Sequence, residues 1–182
     1  MFRGLGASAL AVLLSAAAAT AHLDQSSLVF PRIQGAGGIA VLPKAPYQPK
    51  SGTRVIFDIA VASKPAELNK GLERIARLIN LHAGHGVPDN GLQIVAVLHG
   101  HSTDAALSDH AYKLRTGVDE NPNLPLLRQL KESGVRLYVC GQSLAQKKYA
   151  HEEVAAPLEV AVSAMLVNVQ SQADGFAVMT VY

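Results

Sequence analysis

Three short runs constrain this chain more than anything else in it. Arg54-Val55-Ile56-Phe57-Asp58-Ile59-Ala60-Val61, Leu92 to Leu98 and Val135-Arg136-Leu137-Tyr138-Val139-Cys140 are rich in β-branched residues and almost continuously apolar. A strand that alternates apolar and polar residues has one wet face, whereas runs like these must be buried on both. Helical patterns separate them. Between Glu67 and His82, apolar residues fall at Leu68, Leu72, Ile75 and Ile79, one stripe of an amphipathic helix, with Ser63 available as its cap and Pro65 in its first turn. Further helices are expected near Asp104–Arg115 and Leu124–Ser133, the latter closed by Gly134, and from Ser163 to Asp174, closed by Gly175. Leu158–Val162 and Phe176–Val181 supply two more strands. Parallel neighbours need crossover helices, so this alternation predicts an α/β fold with a doubly wound, mostly parallel, five-stranded sheet flanked by helices.

The regular domain is expected over residues 54–182. Residues 22–53 lack periodicity and carry Pro31, Pro43, Pro46 and Pro49 with Gly35, Gly37, Gly38 and Gly52, the composition of an irregular arm. Residues 1–21 read as a signal peptide: Arg3, an apolar run from Leu5 to Ala19, then Ala19-Thr20-Ala21, a small–x–small cleavage pattern. Cleavage after Ala21 predicts a periplasmic protein with no membrane anchor. A formal charge of +2, with no basic run longer than Lys147-Lys148, argues against nucleic acid as a partner.

The chain has one cysteine, Cys140, so it cannot close an internal disulfide. An exported chain with a single thiol keeps it buried, pairs it with another molecule, or uses it. Cys140 ends the third predicted strand, where open α/β sheets place their ligand crevices, and Gly141 allows close backbone approach. A helix starting just beyond would turn its free N–H groups toward the sulfur and favour a thiolate. His99 ends the second strand and is the matching candidate for holding the thiol proton. Gly100, Gly141, Gln142 and Ser143 complete the expected site as substrate contacts, although Ser143 also reads as a helix cap. Asp58, alone in an apolar strand, needs a partner and is expected to cap a neighbouring element or line the crevice. His99 and His101, with His82 and His85, offer a weaker metal-binding alternative, because no carboxylate or cysteine stands at a recognised ligand spacing. Gly141-Gln142-Ser143-Leu144-Ala145 lacks the ordered acid and histidine that a serine-hydrolase elbow requires. No dinucleotide fingerprint or phosphate loop is present, and no cofactor is expected.

Six segments in order resemble the DsrE/DsrF-like family in its exported branch: Arg54–Asp58, Gly71–Asn80, Val97–Gly100, Asn121–Leu124, Tyr138–Leu144 and Val162–Met165. The resemblance implies a Rossmann-like sheet, assembly into trimers or hexamers, and a place in sulfur relay. In that chemistry Cys140 would carry sulfur as a persulfide between donor and acceptor proteins or small thiols. The alternative is an oligomeric binding or assembly module of the same fold that has lost the chemistry.

Overall fold

A computed structural model describes Met1 and residues 28–182 of the chain; the expected signal peptide lies outside the described residues. Five strands form one sheet in the order β4-β3-β2-β1-β5, and every pairing is parallel. They are β1 (Thr53–Ile59), β2 (Leu92–Leu98), β3 (Arg136–Cys140), β4 (Glu159–Ala161) and β5 (Ala177–Val181). The connecting helices are α1 (Lys70–Gly84), α2 (Asp109–Thr116), α3 (Leu124–Glu132), α4 (Gly141–Lys147) and α5 (Ala164–Ala173). Among the described residues no helix is long and apolar enough to cross a membrane.

Alternation along the strands divides the interior in two. Val55, Phe57, Ile59, Ile94, Ala96, Leu98, Leu137 and Val139 point to one face and pack with Leu72 and Ile75 of α1, Leu127 and Leu130 of α3 and Leu144 of α4. Ile56, Val95, Val97 and Cys140 point to the other, where Ala164 of α5 and Phe176 cover them. Both faces of the central strands are therefore buried, which accounts for their unbroken apolar sequences.

The winding sense changes at one place. Connections after β1, β2 and β3 pass over the α1/α3/α4 face, and the connection after β4 passes over the α5 face on its way to β5. The C-terminal ends of β3 and β4 therefore flank a switch point, where open α/β sheets hold ligands.

The first helix begins later than its apolar stripe suggests. Asn69, not Ser63, is the cap: its side-chain oxygen accepts from the N–H groups of Gly71 (2.8 Å) and Leu72 (3.4 Å). The same side chain donates to the Val61 carbonyl, and the Asn69 N–H donates to Asn123. Those partners are distant in sequence and fix the start at Lys70, leaving Ser63 to Leu68 outside the helix. The segment Gly100–Ala106 forms a 3-10 turn before α2, which Ser108 caps.

Residues 28–52 have little regular structure but are firmly attached. Val29 and Ile39 form an isolated antiparallel bridge, and Ile33 and Ile39 are buried. Buried Asn80 of α1 pegs the segment in place. Its oxygen accepts from the N–H groups of Arg32 and Ile33 at 3.0 and 2.8 Å, and its amide nitrogen contacts the carbonyls of Ile33, Ala36 and Gly37, each at 3.1 Å. Gly37 is required there: it has φ of +63°, and a Cβ would sit 2.2 Å from the backbone nitrogen of Arg77.

Candidate functional site

The pairing register brings the chemistry together. Val97 lies opposite Tyr138 and Leu98 opposite Val139, so the next residues, His99 and Cys140, end neighbouring strands about 4.8 Å apart in the sheet. The backbone of His99 is still extended and its N–H donates to the Ile59 carbonyl at 3.0 Å, which continues the ladder and keeps its side chain on the α5 face with Cys140. On β1 the residue turned to that face is Asp58, and its Oδ1 lies 3.0 Å from His99 Nε2. The buried Nε2 has no aligned hydrogen-bond partner, so the two groups are close without a hydrogen bond between them. Asn168 of α5 donates to the same Asp58 oxygen at 2.8 Å. Asp58 thus caps no helix; its partners are His99 and Asn168, and it belongs to the site. Sequence reasoning had a signal for it, an acid inside an apolar strand, but the identity of its partners depends on register and on a helix 110 positions away.

Cys140 is buried, with 5% of its surface exposed, yet its surroundings are polar. It occupies the cap position of α4, which starts at the next residue. Burial pushes the thiol up, but hydrogen bonds from the Ser143 hydroxyl and from the N–H groups of Ala164, Ser143 and Gln142 outweigh it and bring the thiol below its ordinary value. Two of those N–H groups belong to the first turn of α4 and one to the first residue of α5. The sulfur therefore faces the starts of the two helices that leave the switch point for opposite faces. Unpaired helix N–H groups and the dipoles behind them favour an anion.

Each expected contact residue has a definite place. Ser143 is not a cap, since Cys140 holds that position; its hydroxyl accepts from the Gly100 N–H at 3.1 Å and donates to the sulfur, linking the ends of β2 and β3. Gly100 has φ of +55°, a conformation suited to glycine at the turn off β2. Gly141 is required for space: a Cβ there would lie 2.9 Å from the Ala161 carbonyl oxygen. Gln142 is exposed and donates to the Val162 carbonyl at 3.1 Å, tying α4 to the end of β4. Ser102, unremarked in the sequence, orders the loop by accepting from the His99 N–H at 3.0 Å and donating to the Ile59 carbonyl at 2.6 Å.

The histidines offered as a metal set are divided between the two ends of the sheet. His82 and His85 lie at the C-terminal end of α1, where His82 lines a small cavity with Leu92 and Val135 at the starts of β2 and β3. Their Nδ1 atoms contact the carbonyls of Leu78 and Leu81 at 2.9 and 2.8 Å. His99 stands just past the other end of β2, seven residues beyond Leu92 and about 23 Å along the strand. His101 is exposed on the 3-10 turn. Among the described residues no three His, Cys, Asp or Glu side chains are grouped to hold a metal ion.

Fold and site together define a parallel α/β protein with one hydrogen-bonded thiol at the switch point of its sheet. The chain belongs to the DsrE/DsrF-like family, associated with sulfur relay, whose model matches residues 54–181. Among solved structures it is similar to MTH1491, a protein of unknown function from Methanobacterium thermoautotrophicum. That likeness has 19% identity and a TM-score of 0.54, and covers 71% of this chain and 99% of the other. At that identity the likeness speaks for the fold alone. No curated protein matches the chain.

Proposed function

We propose that this protein is an exported sulfur carrier that holds sulfane sulfur as a persulfide on Cys140. The observation that carries the reading is the place of Cys140, at the cap of α4 and against Ala164 at the start of α5, where Ser143 and the N–H groups of both helix starts hold the thiol down in spite of its burial. A core cysteine kept for packing needs no such partners, because apolar contact alone satisfies it. Family membership points the same way. Export is supported by Arg3, the apolar run and Ala19-Thr20-Ala21. Assembly with further copies is supported by apolar side chains left exposed beside the site, Val162, Met165, Leu166 and Val169.

In this reading Cys140 gives its proton to His99 or to water. Its thiolate then attacks the terminal sulfur of a donor persulfide, R–S–SH. A bond forms between Cys140 Sγ and that sulfur, the donor S–S bond breaks, and R–S⁻ leaves with the bonding pair. Cys140 then carries –S–SH, with no net oxidation. With no second cysteine in the chain, the acceptor thiolate belongs to another molecule and reverses the step.

The burial of Cys140 favours a second reading, a structural thiol in a binding or assembly module. One experiment separates the two. Purified protein is incubated with a low-molecular-weight persulfide and its intact mass is measured beside that of Cys140→Ser. A carrier gains the mass of one sulfur atom, lost on reduction, and the variant gains none. Wild-type protein left unmodified under excess donor refutes the carrier.

A further inference from the structure

We propose that the end of the sheet opposite Cys140 carries a second site, one that binds a small tetrahedral dianion of the phosphate or sulfate type between Arg54 and Arg136. Arg54 lies in β1 and Arg136 opens β3, so the two stand on either side of β2, about 10 Å apart in the sheet. The register sets Arg54 opposite Gln93 and Arg136 opposite Val95, and alternation turns all four to the α5 face, the face of Ile56 and Cys140. Arg136 and Cys140 are the two ends of β3, about 13 Å apart along it. The proposal therefore goes beyond the carrier reading and does not depend on it.

Both guanidinium groups rest on one aromatic ring. The Cζ of Arg54 lies 4.4 Å from the centroid of Phe176, and the Cζ of Arg136 lies 5.2 Å from it. Phe176 is buried between the end of α5 and the start of β5, so its ring is a fixed seat for both. Stacking uses the flat side of a guanidinium and leaves the N–H groups on its edge to meet an acceptor. Among the described residues neither arginine forms an ion pair. The end of α5 does not need them as caps, because the carbonyls of Gln170, Ser171 and Gln172 accept from the N–H groups of Asp174, Phe176 and Gly175. One arginine stem is enough to shield a ring from water. A second sets a like charge beside the first, and an anion held by both relieves the repulsion.

The two arginines line an open cleft of about 490 Å³, where Asn90, Gln93 and Ser133 add amide and hydroxyl donors. Two acids share the lining. Asp89 is neutralised by Arg32 at 2.7 Å, and Asp174 alone opposes the two guanidinium charges, leaving the cleft positive. A planar carboxylate offers its pair of oxygens to a single guanidinium. A tetrahedral dianion turns oxygens toward both arginines and matches the charge of the pair.

The test is a titration of the protein with sodium sulfate and, separately, sodium phosphate, followed by the NMR signals of backbone amides and arginine side chains. Ionic strength is held constant, with sodium acetate and sodium chloride as controls. Saturable shifts are expected at Arg54, Gln93 and Arg136, with a Kd on the order of 1 mM for both dianions and binding about tenfold weaker for acetate. Arg54→Gln and Arg136→Gln should each weaken sulfate binding about tenfold, whereas Asp174→Asn, which removes the opposing charge, should tighten it about threefold. The thermal midpoint checks the folding of each variant, and Arg54→Lys, which keeps the charge without the fork, stands in should Arg54→Gln fail to fold, with a smaller loss of affinity. Shifts that do not saturate, equal binding of acetate, or unchanged affinity when both arginines are replaced overturn the proposal. Cys140→Ser retains the site, so loss of persulfide uptake and loss of anion binding are separate results.

Discussion

Replacing Ser143 by alanine should slow every reaction of Cys140 while leaving the fold in place. The hydroxyl stands between the Gly100 N–H, from which it accepts at 3.1 Å, and the sulfur, to which it donates. A hydrogen bond to a charged group contributes about 1.5–3 kcal/mol, and one pKa unit corresponds to about 1.4 kcal/mol, so full expression in the thiolate would raise the thiol by about one to two units. The N–H groups of Ala164, Ser143 and Gln142 remain, and they take up part of the loss. A rise of about one unit is therefore expected. At a pH below both midpoints the thiolate fraction falls about tenfold, but a more basic thiolate is a better nucleophile with a Brønsted slope of about 0.4–0.5, leaving a net slowing of about threefold. Thiolate absorbance against pH gives the midpoint, and alkylation at fixed pH gives the rate. An unchanged midpoint in folded Ser143→Ala would refute the claim that this hydroxyl stabilises the anion.

Two further outcomes follow from contacts already described. The thiol is lowered in the folded protein, so its stabilising effect is present in full above the unfolded value of about 8.5 and is lost as pH falls through the folded one. Denaturant titrations should show the stability of wild type over Cys140→Ala growing as pH rises through that window; a constant difference would contradict it. Asn80→Ala removes the peg of residues 32–37, leaving two N–H groups and three carbonyls without their partner, so a loss of about 5 kcal/mol is expected at about 1 kcal/mol for each contact. Urea denaturation checks the value, and a loss under 1 kcal/mol would show that the segment is held by Ile33 and Ile39 instead.

The sheet was legible because its three central strands are buried on both faces, a condition that leaves few sequences and an unmistakable pattern. All five were placed to within two residues at each end, and their order of connection left parallel pairing as the natural outcome. The helix starts were harder. Ser63 and Pro65 offer a locally acceptable beginning, but Asn69 is selected by Val61 and Asn123, contacts that no window of neighbouring residues contains. Cys140 and His99 could be picked out by position alone, as polar or reactive residues at strand ends. Ser143 could not be assigned correctly, because its role depends on Gly100 lying next to it across the sheet. Asp58 was visible as an anomaly and Asn168 was not visible at all, being one more uncharged residue in a helix whose inward side is set by the winding of the chain.

The Asp58–Asn168 hydrogen bond spans 110 positions and joins the first strand to the last helix. A nascent chain emerging from the ribosome has made β1, β2 and β3 well before either α5 or β5 exists, and contacts so far apart in sequence are the slow ones to close. Until they do, the Ala164 N–H is missing from the sulfur and Asp58 has no donor, so the thiol of an unfinished chain has only the groups that α4 supplies. The surroundings of the thiol are thus complete only when the polypeptide is.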